Sequence, residues 1–272
     1  MREFRRRKRL GEEGPEEFGG FRHKKRFGQH FLAAPEILDE IAELLPLEGK
    51  TVLEIGAGDG ALTQALAEKA RKVVALEIDR ELVKQLDKKF AKQISGNRIQ
   101  IVQADALKAD FTPFKLIFGN VPYNISTPLL LKIIKSNFSH AVLMLQSEFG
   151  ERLVAPPGSR EYSRLSVAVQ SQAKAEIVDY VAKECFYPVP QVNSVLVHLA
   201  PKPARQVVHL DEKLVNALFQ HPNQNLRKAL KHSKRSLGEK RVQQFLEKIP
   251  ADLLSKCARG LSLEEFAEIS RT

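Results

Sequence analysis

TVLEIGAGDGALTQALA, residues 51–67, is the stretch that decides the fold of this chain. It begins with β-branched and aliphatic residues, passes through Gly56, Gly58 and Gly60, and continues as an amphipathic segment. This order predicts a strand, a tight turn and a helix. Because glycine has no Cβ, the backbone of such a turn can adopt positive φ and approach a ligand closely. The stretch therefore predicts a ligand site at the end of a strand.

A second apolar run, residues 73–76, ends at Glu77, 21 residues after Gly56. An acidic side chain at the tip of the second strand can accept hydrogen bonds from both ribose hydroxyls of an adenosine-containing ligand. The glycine pattern alone fits either a nicotinamide cofactor or S-adenosylmethionine. The pair Gly58 and Gly60, together with the acidic Glu54 before the loop, favours the methyl donor.

Residues 99–103 and 116–119 predict a third and a fourth strand, which deliver Asp105 and Asn120. Consecutive parallel strands place such residues at their carboxyl ends, the edge where open α/β sheets bind ligands. Asp105 can accept a hydrogen bond from the adenine amine of a cofactor, although a helix N-cap is an equally ordinary role for Asp. We therefore expect an α/β protein with the Rossmann-like sheet of class I S-adenosylmethionine methyltransferases.

The loop Asn120-Val121-Pro122-Tyr123 suits the binding of an amino group attached to a flat ring. The exocyclic amine of adenine is a poor nucleophile, because its lone pair is delocalised into the ring. The carboxamide oxygen of Asn120 and the backbone carbonyl of Val121 or Pro122 can each accept one of its hydrogens, while Tyr123 stacks on the ring. Proline fixes φ and helps to aim a carbonyl outward. Taken alone, the four residues also fit a Pro-containing strand exit beside a buried Tyr.

The chain resembles the small-subunit ribosomal RNA adenine dimethyltransferases (the RsmA/KsgA family) from about Lys25 to its C-terminus. Four motifs stand in family-like order: FGQHFL at 27–32, EIGAGDG at 54–60, NVPY at 120–123 and FYPVPQVNS at 186–194. The resemblance implies an enzyme that transfers methyl groups from S-adenosylmethionine. Its implied substrate is N6 of two adjacent adenosines in a hairpin near the 3′ end of small-subunit rRNA, each methylated twice.

The resemblance also implies roles for individual residues. Those expected around S-adenosylmethionine are Gln29, His30, Leu32, Gly56, Gly58, Glu77, Asp105, Ala106 and Asn120. Those expected to act on the target base are Asn120, Pro122, Tyr123 and Phe186. Many family members have Asn where His30 stands. Phe186 would form a second aromatic wall opposite Tyr123, with core packing as the alternative.

The formal net charge of +10 over 272 residues favours a polyanionic partner. Residues 1–22 hold a basic, Gly-rich stretch without hydrophobic periodicity, which predicts a disordered arm. A second basic cluster follows a helical pattern, so that one face packs and the other stays exposed. The expected RNA contacts in this cluster are Arg227, Lys228, Lys231, Lys234 and Arg235. A merely soluble helix face is the alternative for this cluster.

Three segments follow from these patterns: the arm at 1–22, a methyltransferase domain at 23–200 and a helical rRNA-binding domain at 204–272. The two cysteines, Cys185 and Cys257, are unpatterned, so we expect no disulfide framework and no metal site. No apolar run reaches membrane-spanning length and no secretory segment follows the basic start, so we expect a cytoplasmic protein without membrane contact. We further expect a monomer that acts on an immature small ribosomal subunit.

Four other functions remain open on the sequence. A nicotinamide oxidoreductase would leave the Asn120 loop unexplained, whereas a DNA adenine methyltransferase would share its logic. A large-subunit rRNA adenine methyltransferase is closer still. A ribosome-assembly factor whose catalysis is dispensable belongs to a different class of protein. The residues at the predicted strand ends are all chemically competent, which favours the enzyme.

Overall fold

The structure, a computed structural model, describes residues 30–272 and, as backbone only, the short segments 17–18 and 21–22. Strand β1 (Glu17–Phe18) pairs antiparallel with β2 (Phe21–Arg22). The rest of the predicted basic arm, and Gln29 among the predicted cofactor residues, lie outside the described residues.

The remaining strands form two sheets. They are β3 (Phe31–Leu32), β4 (Thr51–Ile55), β5 (Lys72–Glu77), β6 (Ile99–Gln103), β7 (Leu116–Asn120), β8 (His140–Gln146), β9 (Ala173–Val181), β10 (Phe186–Tyr187) and β11 (Ser194–Pro201). Seven of them make the central sheet in the order β6-β5-β4-β7-β8-β11-β9. A separate two-stranded sheet joins β10 to β3.

The central sheet is parallel from β6 through β8, and β11 runs antiparallel to β8. The four strands predicted from the sequence are β4, β5, β6 and β7, so the predicted α/β, Rossmann-like fold is confirmed. Chain order reverses beside β4, because β5 and β6 extend the sheet on one side and β7 on the other. Open α/β sheets bind ligands at such a switch point, outside the carboxyl ends of the strands.

Strand β4 lies inside this sheet, between β5 and β7, and both of its faces are buried. Val52 and Leu53 have no exposed surface, and successive side chains of a strand point to opposite faces. Near-continuous burial of this kind is typical of parallel strands that are covered on both sides.

The helices are α1 (Pro35–Glu43), α2 (Ala61–Lys69), α3 (Arg80–Lys89), α4 (Ala91–Ser95), α5 (Ser126–Ile134), α6 (Ser147–Val154), α7 (Arg164–Gln172), α8 (Glu212–Leu218), α9 (Leu226–His232), α10 (Lys234–Leu237), α11 (Glu239–Lys248), α12 (Ala251–Ser255) and α13 (Leu263–Ser270). Helix α3 begins where the Asp79 side chain accepts a hydrogen bond from the N–H of Glu81 at 3.0 Å. Within the described residues, no helix is both long enough and apolar enough to cross a bilayer.

The chain divides into two compact units. Among the described residues, the first comprises those up to residue 150 together with 176–200, and it contains most of the sheet. The second comprises residues 151–175 and 201–272 and is largely helical. The sequence-based prediction assigned residues 151–175 to the methyltransferase segment at 23–200, whereas in the structure these residues group with the helical unit.

The physical reason for this difference is a shared apolar core in the helical unit. Tyr162 and Val167 are buried in the same cluster as Leu214, Leu230 and Phe266. Backbone hydrogen bonding adds to this packing, because the N–H of residue 158 donates to the carbonyl of residue 259 at 2.8 Å. Helix α7, in the middle of the chain, thus completes a core made mostly of C-terminal helices. The sequence of α7 alone does not reveal which core it joins.

Candidate active site

A single cavity at the carboxyl ends of the parallel strands gathers most of the predicted site residues. Ten of them line it: His30, Leu32, Gly56, Gly58, Glu77, Asp105, Ala106, Asn120, Pro122 and Tyr123. They come from β3 and the residue before it, from the loops after β4 and β6, from the last residue of β5, and from the end of β7 and its loop. The fold brings them together because parallel strands end at the same edge of the sheet.

The turn after β4 follows the edge of the cavity with its backbone. Gly56 has φ +77° and Gly58 has φ +58°, a region that side chains with a Cβ rarely adopt. A Cβ at Gly56 would lie 3.6 Å from the carbonyl oxygen of Asn120. The turn and the Asn120 loop are therefore in close proximity.

Glu77 is held by backbone amides at the tip of β5. Its Oε2 accepts a 2.9 Å hydrogen bond from the N–H of Gly58, and its Oε1 accepts from the N–H groups of Ile78 and Asp79 at 2.8 and 2.9 Å. Burial raises the pKa of Glu77, while these backbone hydrogen bonds oppose the increase. Carboxylate oxygens have further lone pairs, so the fixed side chain can still accept from a ligand hydroxyl.

Asn120, at the end of β7, is oriented by the backbone of the β3 segment. Its Nδ2 donates a 2.8 Å hydrogen bond to the carbonyl oxygen of His30. Since the amide nitrogen is used in this way, the carboxamide oxygen is the atom available as an acceptor. This is the orientation that the binding of an amino group requires.

His30 links three parts of the chain around Asn120. Its Nδ1 donates to the carbonyl oxygen of Pro188 at 2.7 Å, and its ring stacks on Tyr123 with centroids 5.7 Å apart. The hydroxyl of Tyr123 lies 3.4 Å from Oγ of Ser194. Burial raises the pKa of Tyr123, which keeps the phenol neutral and suited to stacking.

The two backbone carbonyls considered for the loop are not equivalent. The carbonyl oxygen of Pro122 accepts from the N–H of Ile125 at 3.1 Å and lies 3.4 Å from Oγ of Ser126. The carbonyl of Pro122 therefore accepts the first hydrogen bond of the short 3-10 helix at Tyr123–Ile125. Of the two, the carbonyl of Val121 is the better candidate for accepting a hydrogen bond from a ligand.

Asp105 stabilises a turn after β6 and also lines the cavity; no helix begins at this residue. Its Oδ1 accepts a 2.9 Å hydrogen bond from the N–H of Leu107, which stabilises a turn, and the residue also lines the cavity beside Ala106. A carboxylate has a second oxygen, so stabilising the turn does not prevent hydrogen bonding to a ligand.

Phe186 does not lie where the resemblance placed it. It is 1% exposed, belongs to the hydrophobic core and does not line the cavity. The reason is the pairing of β10 with β3, which sets Phe186 opposite the equally buried Leu32. Core packing, the alternative considered from the sequence, describes its position.

Sequence reasoning overlooked three features of the cavity. Ile78 lines it and is 49% exposed. Its position directly after Glu77, at the end of β5, could have identified it from the sequence. Met144 and Leu196, from β8 and β11, contribute further apolar lining. No local signal could identify these two, because they resemble every other buried strand residue.

The predicted basic cluster forms the exposed face of α9 and α10 in the helical unit. Leu226, Ala229, Leu230 and Leu237 are buried there. Arg227, Lys228, Lys231, Lys234 and Arg235 are all exposed. Lys234 forms an ion pair with Glu239 at 2.7 Å. The helical pattern in the sequence therefore predicted correctly which side of these helices is basic and exposed.

Among the described residues there is no group of three or more His, Cys, Asp or Glu side chains placed to hold a metal ion. The cavity instead offers backbone amides, carboxylates and an amide oxygen. This set of groups suits an organic ligand with hydroxyl and amino functions.

Comparison with known proteins agrees with this geometry. A family model described as ribosomal RNA adenine dimethylase matches residues 20–271. The probable ribosomal RNA small subunit methyltransferase A of Thermococcus gammatolerans is 40% identical over 251 residues, which cover 91% of this chain and 88% of that protein.

Two solved structures are similar over most of the chain. A dimethyladenosine transferase from Plasmodium falciparum has a TM-score of 0.75 at 30% identity, covering 88% of this chain and 95% of the other. The 23S rRNA methyltransferase ErmE has a TM-score of 0.62 at 27% identity, covering 89% and 100%.

Proposed function

This chain belongs to the ribosomal RNA adenine dimethylase family, and we propose that it dimethylates N6 of two adjacent adenosines in a hairpin near the 3′ end of small-subunit rRNA. The observation that carries the proposal is the orientation of Asn120, whose Nδ2 donates to the His30 carbonyl. The carboxamide oxygen then serves as an acceptor in a cavity that also contains the glycine turn and Glu77.

The family and the fold imply S-adenosylmethionine as the methyl donor, and the residues of the cavity fit it. Glu77, fixed by backbone N–H groups, would accept hydrogen bonds from the ribose hydroxyls. Asp105 would accept one from the adenine amine, while His30, Leu32, Gly56, Gly58 and Ala106 would surround the ligand. When bound, the sulfonium supplies an electrophilic methyl group, so this chain needs neither a metal nor a strong base.

The last residue of β7 and the loop after it would align the target amine. The oxygen of Asn120 and the carbonyl of Val121 would each accept a hydrogen from N6, which favours the more tetrahedral nitrogen of the transition state over the planar ground state. Tyr123, held beside His30, would stack on the base. Proximity and orientation of this kind can supply about 7–11 kcal/mol of the barrier reduction.

Dimethylation places a further demand on the same two acceptors. After the first transfer N6 retains one hydrogen, so Asn120 and Val121 cannot both be satisfied. The site must then tolerate a methyl group in one of the two directions. Since an N-alkylated adeninium is strongly acidic, its proton can leave to water without a dedicated base.

Recognition of the RNA would rely on charge. The exposed basic residues of α9 and α10 would contact phosphates, which fix the register of a nucleic acid without reading its sequence. Because dispersed basic surfaces suit recognition of shape, we expect an immature small subunit to be the substrate. A cytoplasmic monomer is part of the same proposal.

The test is transfer of tritiated methyl groups to small subunits that lack this modification, followed by nucleoside analysis. Dimethyladenosine at two adjacent positions of small-subunit rRNA is the expected product. Large-subunit rRNA tested in parallel is the matched control, because ErmE is described as a 23S rRNA methyltransferase. Methylation of large-subunit rRNA alone would overturn the proposed substrate.

A further inference from the structure

Glu54 is a buried carboxyl group to which the proposed mechanism gives no role. It lies on β4, has no exposed surface and lines the cavity. Its Oε2 accepts a 2.6 Å hydrogen bond from Oγ1 of the equally buried Thr63. Its Oε1 has no hydrogen-bond partner in the part of the chain that the structure describes. A buried polar atom left in this state is costly, so its presence beside the cavity calls for a function.

The groups around Glu54 do not supply a matching charge. Asp59 and Glu77 disfavour its ionised form, and Lys89 favours it only as the weakest of the contributing influences. The Nζ of Lys89 donates instead to the backbone carbonyl of Asp59 at 2.7 Å. On the neighbouring strands, Ala75 and Phe118 stand in register with Glu54, and both are apolar.

Burial is the main reason that the pKa of Glu54 rises to about 8, and Thr63 opposes the increase. At neutral pH the side chain is therefore mostly protonated in the ligand-free protein. A positive charge brought into the cavity would favour the carboxylate, because opposite charges interact strongly where water is excluded.

We propose that Glu54 senses the positive charge of the methyl donor, losing its proton when S-adenosylmethionine binds and so distinguishing the sulfonium donor from its thioether product. The inference rests on the proposed use of this donor. On binding, the O–H bond of Glu54 would break and the proton would pass to solvent, which leaves a carboxylate whose negative charge the cationic ligand favours. After methyl transfer the sulfur is neutral, the carboxylate has lost its partner, and a proton returns from solvent.

This role differs from a purely structural one. A neutral Glu54 that merely anchors Thr63 at the start of the helix would not change its protonation with the ligand. Replacement by glutamine keeps the shape and can still accept from Thr63, but it cannot ionise. Glu54→Gln therefore separates the two roles.

The experiment is titration calorimetry of the full-length protein with S-adenosylmethionine and with S-adenosylhomocysteine, at pH 7 in two buffers of different ionisation enthalpy. For a group with a pKa about one unit above the pH, binding of the cation can release up to about 0.9 proton. We expect the wild-type protein to release more protons with the sulfonium than with the thioether. In Glu54→Gln this difference should disappear. Because both variants receive the same ligands, the titration of the ligand's own amino group cancels in the comparison.

The pH dependence gives a second readout. Since binding releases a proton, the affinity of the wild-type protein for S-adenosylmethionine should increase as pH rises and level off above the pKa of the free carboxyl group. Between pH 7 and 9 the expected increase is several-fold, up to about tenfold. S-adenosylhomocysteine should show a smaller increase with the wild-type protein, and Glu54→Gln should show little increase with either ligand.

Thr63→Val provides an independent variant in case Glu54→Gln does not fold, which circular dichroism would show. Removing the Thr63 hydroxyl takes away the hydrogen bond that lowers the Glu54 pKa, so the rise in affinity should move to higher pH. Equal proton release for the two ligands, or for wild type and Glu54→Gln, would overturn the inference while leaving the proposed function intact. Absence of any S-adenosylmethionine binding by the wild-type protein would overturn both.

Discussion

The side-chain amide of Asn120 donates a 2.8 Å hydrogen bond to the backbone carbonyl of His30, 90 residues earlier in the chain. The His30 ring in turn donates to the carbonyl of Pro188 at 2.7 Å. Three distant segments thus determine the direction of one amide oxygen. An acceptor held in this way needs little reorganisation as charge develops on a bound amine.

Asn120→Ala should lower the methylation rate by about 10²–10³-fold, the usual effect of removing one group that stabilises developing charge. The substitution removes the acceptor and also the hydrogen bond to the His30 carbonyl. Tritiated methyl incorporation into unmethylated small subunits measures the effect. Asn137→Ala is the matched control, because this exposed Asn precedes β8 at the opposite end of the sheet and should retain full activity. A rate near that of wild type for Asn120→Ala would contradict the assigned role.

Tyr123→Ala should mainly weaken rRNA binding, because the lost contact is stacking on the target base. Stacking of a base on an aromatic ring contributes about 1–3 kcal/mol, so KM for the small subunit should rise while affinity for S-adenosylmethionine stays within about twofold. Tyr123→Phe should behave like wild type, since the Ser194 contact it removes is long, at 3.4 Å. If Tyr123→Phe raised KM as much as Tyr123→Ala, the hydroxyl group of Tyr123 and not its ring would be the functional part.

Gly60→Ala should destabilise the protein more than Gly49→Ala. Both glycines have positive φ, +80° and +69°, which costs an L-residue roughly 1–2 kcal/mol. A Cβ at Gly60 would also approach Phe90 to 2.6 Å and Leu86 to 2.7 Å, whereas at Gly49 it would meet nothing within 4 Å. Crowding of a packed core adds about 1–3 kcal/mol.

Denaturant unfolding followed by circular dichroism measures the two glycine variants under identical conditions. The midpoint should fall further for Gly60→Ala. Equal shifts would show that Phe90 and Leu86 can move aside at little cost and that only the backbone conformation matters.

The double variant Arg227→Ala, Lys231→Ala should bind small subunits more weakly and with a shallower dependence on salt. These residues are exposed on the same helix, α9, one turn apart. Each phosphate contact contributes about 0.7–0.9 to the slope of log affinity against log salt. Lys84→Ala, Lys88→Ala removes the same charge with the same spacing from α3 of the other unit. If the two double variants lost affinity equally, general charge rather than the α9 face would account for binding.

The sequence was informative about the sheet for a physical reason. Short β-branched and aliphatic runs that end at glycine or a polar residue favour strands, so β4 through β7 were predicted correctly as parallel strands. Once parallel strands are predicted, the residues that follow them must meet at one edge. Glu77, Asp105 and Asn120 could therefore be grouped from the sequence alone, and they line one cavity.

What the sequence by itself determined were the α/β fold, the glycine turn and the residues at the strand ends, because these depend on local conformation and on the periodicity of apolar side chains. Only the tertiary structure showed that Phe186 is buried against the core, that residues 151–175 complete the helical unit, and that Oε1 of Glu54 lacks a partner. Each of these depends on which groups meet after the chain has folded. A residue type that suits two environments is placed by its distant neighbours, and no pattern within its own segment contains that information.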